Sequence, residues 1–251
     1  MEKIFAGKNA LVIGGSGGIG RVVALGLAER GARIVLHGGS SQERLDSALK
    51  LVSVAGAECT GFLYPVDSAG PDIAATEILS RARELLDGAF PNILVCAWGP
   101  FKQGNIEDMG PEDWRYLIEN NLTFPGILVS SCLGDMMDKR WGRILLFGGT
   151  NTDTIRGFKT TAVYSAAKTA LGALAKSVAR SAGPLGVTCN VICPGLTDTE
   201  YSSEALRAYN RERSPGGEVL KPEDIAKIAL GILENFPVNG GIIPVDRGLA
   251  L

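Results

Sequence analysis

The chain has 251 residues, 45% of them hydrophobic and 21% charged, with a formal net charge of −2. That balance argues against a basic nucleic-acid surface or a polybasic membrane contact, and the length suffices for one large α/β core. No apolar run is long enough to span a bilayer, and the first five residues lack the shape of a signal peptide, so a cytoplasmic protein is expected.

The cysteines (Cys59, Cys96, Cys132, Cys189 and Cys193) are odd in number and form no Cys-x-x-Cys pair. Reduced, buried thiols are expected, with no disulfide framework. His37 is the only histidine, so neither a zinc site nor a Ser-His-Asp centre is anticipated.

Apolar runs and glycine-rich breaks alternate along the chain. Residues 8–13 read as a buried strand, followed by Gly14-Gly15-Ser16-Gly17-Gly18-Ile19-Gly20 and an amphipathic helix to about Glu29, stopped by Gly31. Strand 33–37 and helix 42–54 come next, then strand 61–66 and helix 72–86. Strand 92–97 leads into a long helical segment, 111–139, in which Pro125 is expected to make a kink. Strand 143–147 precedes a helix over 161–182. Strand 187–193, helix 222–234 with Pro222 in its first turn, and strand 241–245 complete the set. Apolar strands alternating with helices predict a doubly wound, Rossmann-type parallel sheet covered on both faces, as a single α/β domain over 1–251.

The first glycine cluster lies between a strand and a helix, where a dinucleotide pyrophosphate would sit. Glycines let backbone approach the phosphates, and the helix start offers free N–H groups. Gly14, Gly18 and Gly20, with Ser16 and Ile19 between them, are the candidate cradle. The second strand ends in His37-Gly38-Gly39-Ser40-Ser41, without the carboxylate that an NAD site usually offers the ribose. Ser40, Ser41, His37 and Arg44 are candidate partners for a 2′-phosphate, so NADP is expected over NAD. Asp67, with Ser68, follows the third strand and either accepts from an adenine amino group or caps its own loop.

Tyr164-Ser165-Ala166-Ala167-Lys168 opens the 161–182 helix. Four residues apart is one helix face, so the phenol and the ammonium can converge. A nearby cation favours phenolate, and Lys168 is expected to lower the Tyr164 pKa.

Taken together, Gly14-x-x-x-Gly18-Ile19-Gly20, Asp67, Asn121 in Asn120-Asn121-Leu122-Thr123, Tyr164-x-x-x-Lys168 and Pro194-Gly195 resemble the short-chain dehydrogenase/reductase family. Lys221-Pro222-Glu223-Asp224-Ile225-Ala226 and Pro244-Val245-Asp246-Arg247-Gly248 extend the resemblance over essentially the whole chain. It implies a nicotinamide cofactor and reversible hydride transfer between a carbonyl and an alcohol. Tyr164 would give the proton to the carbonyl oxygen, and Lys168 would bind the nicotinamide ribose. Asn121 would hold a water linking Lys168 to solvent. Ala97 and Gly99 would border the cofactor, and Pro194, Gly195, Thr197 and Thr199 would hold the carboxamide. The helices over 111–139 and 161–182 resemble those through which family members form homodimers or homotetramers.

The chain departs from the family where the nicotinamide would lie. Cys96-Ala97-Trp98-Gly99 replaces Asn-Asn-Ala-Gly, and Ile13 replaces a Thr. Trp98 either packs in the core or walls the substrate site. The catalytic Ser is missing: alignment on strand five places Gly149 there, whereas counting back from Tyr164 reaches Asn151. Thr150 is the first candidate for a replacement hydroxyl and Asn151 the second. Residues 198–220 fall where the family keeps a mobile lid, and Tyr201, Leu206, Tyr209, Arg207, Arg211 and Arg213 make it apolar and basic. Two readings result: an NADP-dependent carbonyl reductase of small molecules, including the 3-oxoacyl type, or a dinucleotide-binding protein that has lost catalysis and acts through a partner.

Overall fold

Seven short apolar stretches form the strands of one all-parallel sheet in the computed structural model, which describes residues 3–200 and 202–249. They are β1 (Asn9–Ile13), β2 (Arg33–Gly38), β3 (Cys59–Leu63), β4 (Ile93–Cys96), β5 (Gly142–Phe147), β6 (Val187–Pro194) and β7 (Ile242–Val245). Their spatial order is β3-β2-β1-β4-β5-β6-β7. The order reverses between β1 and β4, and at such a switch point the loops leaving the two strands diverge and open a crevice.

Side chains alternate across the sheet with the strand period of two. On one face Ala10, Val12, Ile34, Leu36, Ile93 and Val95 pack against α1 (Gly18–Glu29), α2 (Gln42–Ser53) and α8 (Pro222–Glu234). On the other, Leu11, Ile13, Val35, Leu94, Ile144 and Val191 meet α3 (Pro71–Leu85), α5 (Phe124–Asp138) and α6 (Ala162–Ala182). Burial on both faces is why the strands read as unbroken apolar runs. Two further helices are α4 (Pro111–Ile118), which packs against the turn over Glu119–Thr123 and α6, and α7 (Glu204–Arg213). Among the described residues no helix is long and apolar enough to cross a membrane.

Two expectations about elements need correction. Strand β3 begins and ends earlier than 61–66, because Pro65 has no N–H for the ladder and a 3₁₀ turn (Val66–Ser68) follows it. The kink assigned to Pro125 is instead a π-helical turn over Glu119–Thr123, with Pro125 in the first turn of α5. There the Phe124 N–H donates to the Glu119 carbonyl, five residues back. The wider turn faces Asn120 and Asn121 into the protein, where both are buried.

Candidate active site

The β1–α1 turn builds one wall of the crevice from backbone. Gly14 has φ +73°, and a Cβ there would stand 3.0 Å from Trp98 Cβ and 3.1 Å from the Ala97 carbonyl. A Cβ on Gly20 would run into the Gly14 carbonyl oxygen. These glycines let the turn and the α1 start close on each other, leaving a cleft of about 470 Å³. Its walls include Gly14, Ser16, Gly18, Ile19, Ala97, Gly99 and Thr199. Its far end is formed by Gly39, Ser40, Ser41 and Arg44, with no carboxylate among the lining residues described. Ser41 also caps α2, its Oγ accepting from the Arg44 N–H at 3.3 Å. A glycine cradle and an α1 first turn without a side-chain cap or acidic residue fit a dinucleotide.

His37 does not serve this cleft. It is fully buried in β2, accepting the Gly14 N–H at Nδ1 (3.4 Å) and facing the Tyr64 carbonyl through Nε2 (2.8 Å). These partners require the Nε2–H tautomer. Burial depresses its pKa to about 4, so the ring is neutral and braces the glycine turn from behind. Asp67 and Ser68 also stand outside the lining of the cleft. Asp67 Oδ2 accepts from the Tyr116 hydroxyl at 3.3 Å, and Ser68 Oγ donates to the Pro65 carbonyl.

Beyond the switch point, α6 brings Tyr164 and Lys168 to the same place. The Lys168 ammonium lies 5.8 Å from the Tyr164 ring centre and donates to the Phe147 carbonyl at 2.9 Å. Asn121, from the π turn, donates through Nδ2 to the Pro100 and Leu117 carbonyls at 2.9 and 3.1 Å. Its Oδ1 is buried without a protein partner. A Cβ on Gly99 would collide with that oxygen and stand 2.9 Å from Lys168 Nζ, so the two groups flank one slot beside Gly99. A smaller cavity, about 270 Å³, joins Tyr164 and Lys168 to Ile19, Ala97, Gly99, Pro194, Gly195 and Thr197.

The expected lowering of the Tyr164 pKa is not found. Burial pushes the phenol up to about 12, and burial also drives the Lys168 ammonium down to about 8. The low-dielectric surroundings penalise phenolate and ammonium alike.

The hydroxyl question is answered by the β5 loop. A Cβ on Gly149 would lie 2.9 Å from Tyr164 Cε1 and 3.1 Å from the Tyr164 hydroxyl. Position 149 is therefore the one beside the phenol, and the Tyr164 ring occupies the space a side chain would need. Thr150 borders both cavities that reach Tyr164, but its hydroxyl donates to the Pro194 carbonyl at 3.0 Å. It cannot also donate to a substrate carbonyl while that bond stands. Asn151 adopts φ +62° and has a buried, unpartnered Oδ1. Thr152 closes the turn, exchanging hydrogen bonds with the Gly149 N–H and carbonyl. Of the two places expected for Trp98, the structure shows the packed one: its ring lies edge-on against Phe124 at 5.9 Å, and the residue borders the glycine-walled cleft.

A third cavity, about 640 Å³, opens from Tyr164 toward the lid. Phe101, edge-on to Tyr164 at 5.0 Å, together with Phe158 and Leu196, gives it apolar walls. Lys159 and Arg213 are its cations, and no carboxylate lines it among the described residues. Arg213 stacks on the Tyr209 ring at 4.6 Å. Residues 198–219 are closed at their base by a parallel bridge between Thr197 and Leu220. Tyr201 lies outside the described residues. Glu200, unremarked in the sequence, accepts the Gly18 N–H at 2.7 Å and stands 3.8 Å from Arg21 Nη2. Glu200 sits 182 positions from Gly18, and no spacing rule connects them.

A family model described as enoyl-(acyl carrier protein) reductase matches residues 14–250. Over 254 residues the chain is 32% identical to the 3-oxoacyl-[acyl-carrier-protein] reductase of Escherichia coli, covering 96% of this chain and 99% of that protein. A solved short-chain dehydrogenase/reductase from Serratia marcescens gives a TM-score of 0.87 at 26% identity, covering 98% of this chain and 99% of that one. A 3-oxoacyl (acyl-carrier-protein) reductase from Agrobacterium tumefaciens, solved with NADP bound, gives 0.86 at 26%, covering 97% and 94%. The chain belongs to the short-chain dehydrogenase/reductase family. It is an NAD(P)-dependent oxidoreductase that interconverts a carbonyl and an alcohol.

Proposed function

We propose that the protein is an NADP-dependent reductase of a small carbonyl compound, with Tyr164 as the proton donor. The observation that carries this reading is the meeting of Tyr164, Lys168 and the Asn121 oxygen where the dinucleotide cleft approaches the cavity walled in part by Phe101, Phe158 and Leu196. The cofactor, when bound, supplies the hydride. At pH 7 a phenol with a pKa of about 12 is fully protonated, so it donates to the carbonyl oxygen as charge develops there. Lys168 then stabilises the phenolate, and a water on Asn121 Oδ1 is the route by which the proton is restored.

NADP is preferred because the cleft closes on Ser40, Ser41 and Arg44 rather than on a carboxylate. Thr150 spends its hydroxyl on the Pro194 carbonyl, so Tyr164 rather than Thr150 donates to the substrate carbonyl. Apolar walls with Lys159 and Arg213 suit a substrate having an oxo group, an apolar stretch and an anionic end. Acidic 3-oxoacyl compounds are one such class.

The competing reading, dinucleotide binding without turnover, draws on Gly149 in place of a hydroxyl. A screen of oxo acids, their neutral esters and simple ketones, followed by NADPH absorbance, decides between them. Turnover of oxo acids over their esters is expected. No turnover of any carbonyl by protein that binds NADPH would establish the second reading.

A further inference from the structure

We infer that Glu200 is a lid-borne carboxylate that competes with the cofactor phosphates for the start of α1, so that it holds cofactor affinity down and couples the lid to the nucleotide cleft. The inference rests on the reading of that cleft as a dinucleotide site.

Helix α1 begins at Gly18 after Gly17, with no side-chain cap and no acidic residue of its own in the first turn. An uncapped helix start carries unsatisfied N–H groups and positive potential, and it attracts anions. Here a carboxylate from the far end of the sequence answers it: Glu200 Oε1 accepts the Gly18 N–H at 2.7 Å, and Arg21, one turn further along α1, lies 3.8 Å from Oε2. Thr199, its neighbour in sequence, lines the cleft together with Gly18 and Ile19.

Glu200 lies just beyond the Thr197–Leu220 bridge that roots the lid, and α7 starts four residues later. Its carboxylate therefore ties the root of the lid to the phosphate cradle. A phosphate at the α1 start needs the same N–H or lies against the same negative charge. Glu200 must leave the Gly18 N–H, or stay and repel the phosphate. In either case its charge opposes dinucleotide binding. Leaving frees the lid segment from its second anchor.

Calorimetric titration of NADPH and NADH into wild type, Glu200→Gln and Glu200→Ala tests this. Both variants should bind both cofactors roughly tenfold tighter, a change of about 1.4 kcal/mol. In the absence of cofactor, Glu200→Ala should melt below wild type, since the helix start loses the carboxylate on the Gly18 N–H. Wild-type protein that binds neither cofactor would refute the dinucleotide reading itself. Wild type that binds, with variants of unchanged or weaker affinity, would overturn the role of Glu200 alone. Glu200→Ala guards against a Gln that keeps the hydrogen bond by turning its amide oxygen to Gly18.

Discussion

The half of the crevice proposed for the nucleotide and the half proposed for the substrate are built on different principles. On the nucleotide side, Gly14, Gly18 and Gly20 shape a wall from main chain, and the only histidine is spent bracing that wall from inside the sheet. On the substrate side the walls are side chains: Tyr164 and Lys168 on α6, Asn121 on a π turn, Phe101 and Phe158 on loops, and Arg213 on the lid. A backbone cradle tolerates almost no added atoms and is indifferent to many deletions. A side-chain site behaves the opposite way, and the contrast can be broken by measurement.

The largest effect should come from Tyr164→Phe, which deletes one oxygen from the side-chain half. Turnover should fall by about 10³-fold, within the range for a positioned general acid, while NADPH affinity by titration stays within about twofold. An equal loss of binding would show that the two halves are not separable.

Next in size is Gly20→Ala, which adds one carbon to the backbone half. The methyl meets the Gly14 carbonyl, a main-chain atom that cannot move aside. A loss of about 1–3 kcal/mol in stability and at least tenfold in NADPH affinity is expected. Unchanged affinity would remove the glycine turn from the cofactor site.

The sheet shared by both halves should fail in alkali. Burial pushes the Cys96 and Cys132 thiols up to about 12 and raises Cys189 and Cys193 as well. The unfolded chain ionises these thiols above about pH 9 while the folded one keeps their protons, so stability falls as pH rises, by roughly 1.4 kcal/mol per pH unit for each thiol. Lys168 acts with the opposite sign. Its folded pKa, about 8, lies below its ordinary 10.5, so it adds stability between those values as pH rises. Four thiols outweigh one ammonium. Melting temperatures should change little from pH 8 to 9, where the ammonium offsets the first thiol ionisation, and fall from pH 9 to 10; a plateau from pH 9 to 10 would contradict the burial of the thiols.

Thr150→Val gives the smallest effect and the sharpest discrimination. With its hydroxyl spent on the Pro194 carbonyl, its loss should weaken NADPH binding by about fivefold, or roughly 1 kcal/mol, and leave the chemical step within about threefold. A drop of about 100-fold in single-turnover rate would instead make Thr150 a donor to the substrate.

What the sequence disclosed follows the same division. The Gly14–Gly20 turn, the apolar strands and the Tyr164–Lys168 pair were legible, because main-chain geometry and helical spacing leave periodic marks. His37 is no phosphate ligand because it lies inside β2, where both faces are covered, and not in the loop that follows. Gly149 and Thr150 were ambiguous because the loop between β5 and α6 has no period to fix its register. Even the correctly placed Tyr164 has a phenol held up rather than down, since burial depends on surroundings that local spacing does not encode.

The position of β1 has a consequence for how the chain comes into being. Strand β1 precedes both its neighbours in the chain and is an interior strand, bounded by β2 on one edge and by β4 on the other. Ala10 pairs with Ile34 and with Ile93, so one partner is close in sequence and the other distant. Between the end of β2 and the start of β4, synthesis at 5–20 residues per second takes on the order of 3–10 s. Throughout that interval a wholly apolar strand has one open edge. Such an edge invites pairing with another nascent chain, and non-local parallel pairing is slow to close. The crevice lies over that seam, so its two walls cannot face each other until β4 has been made.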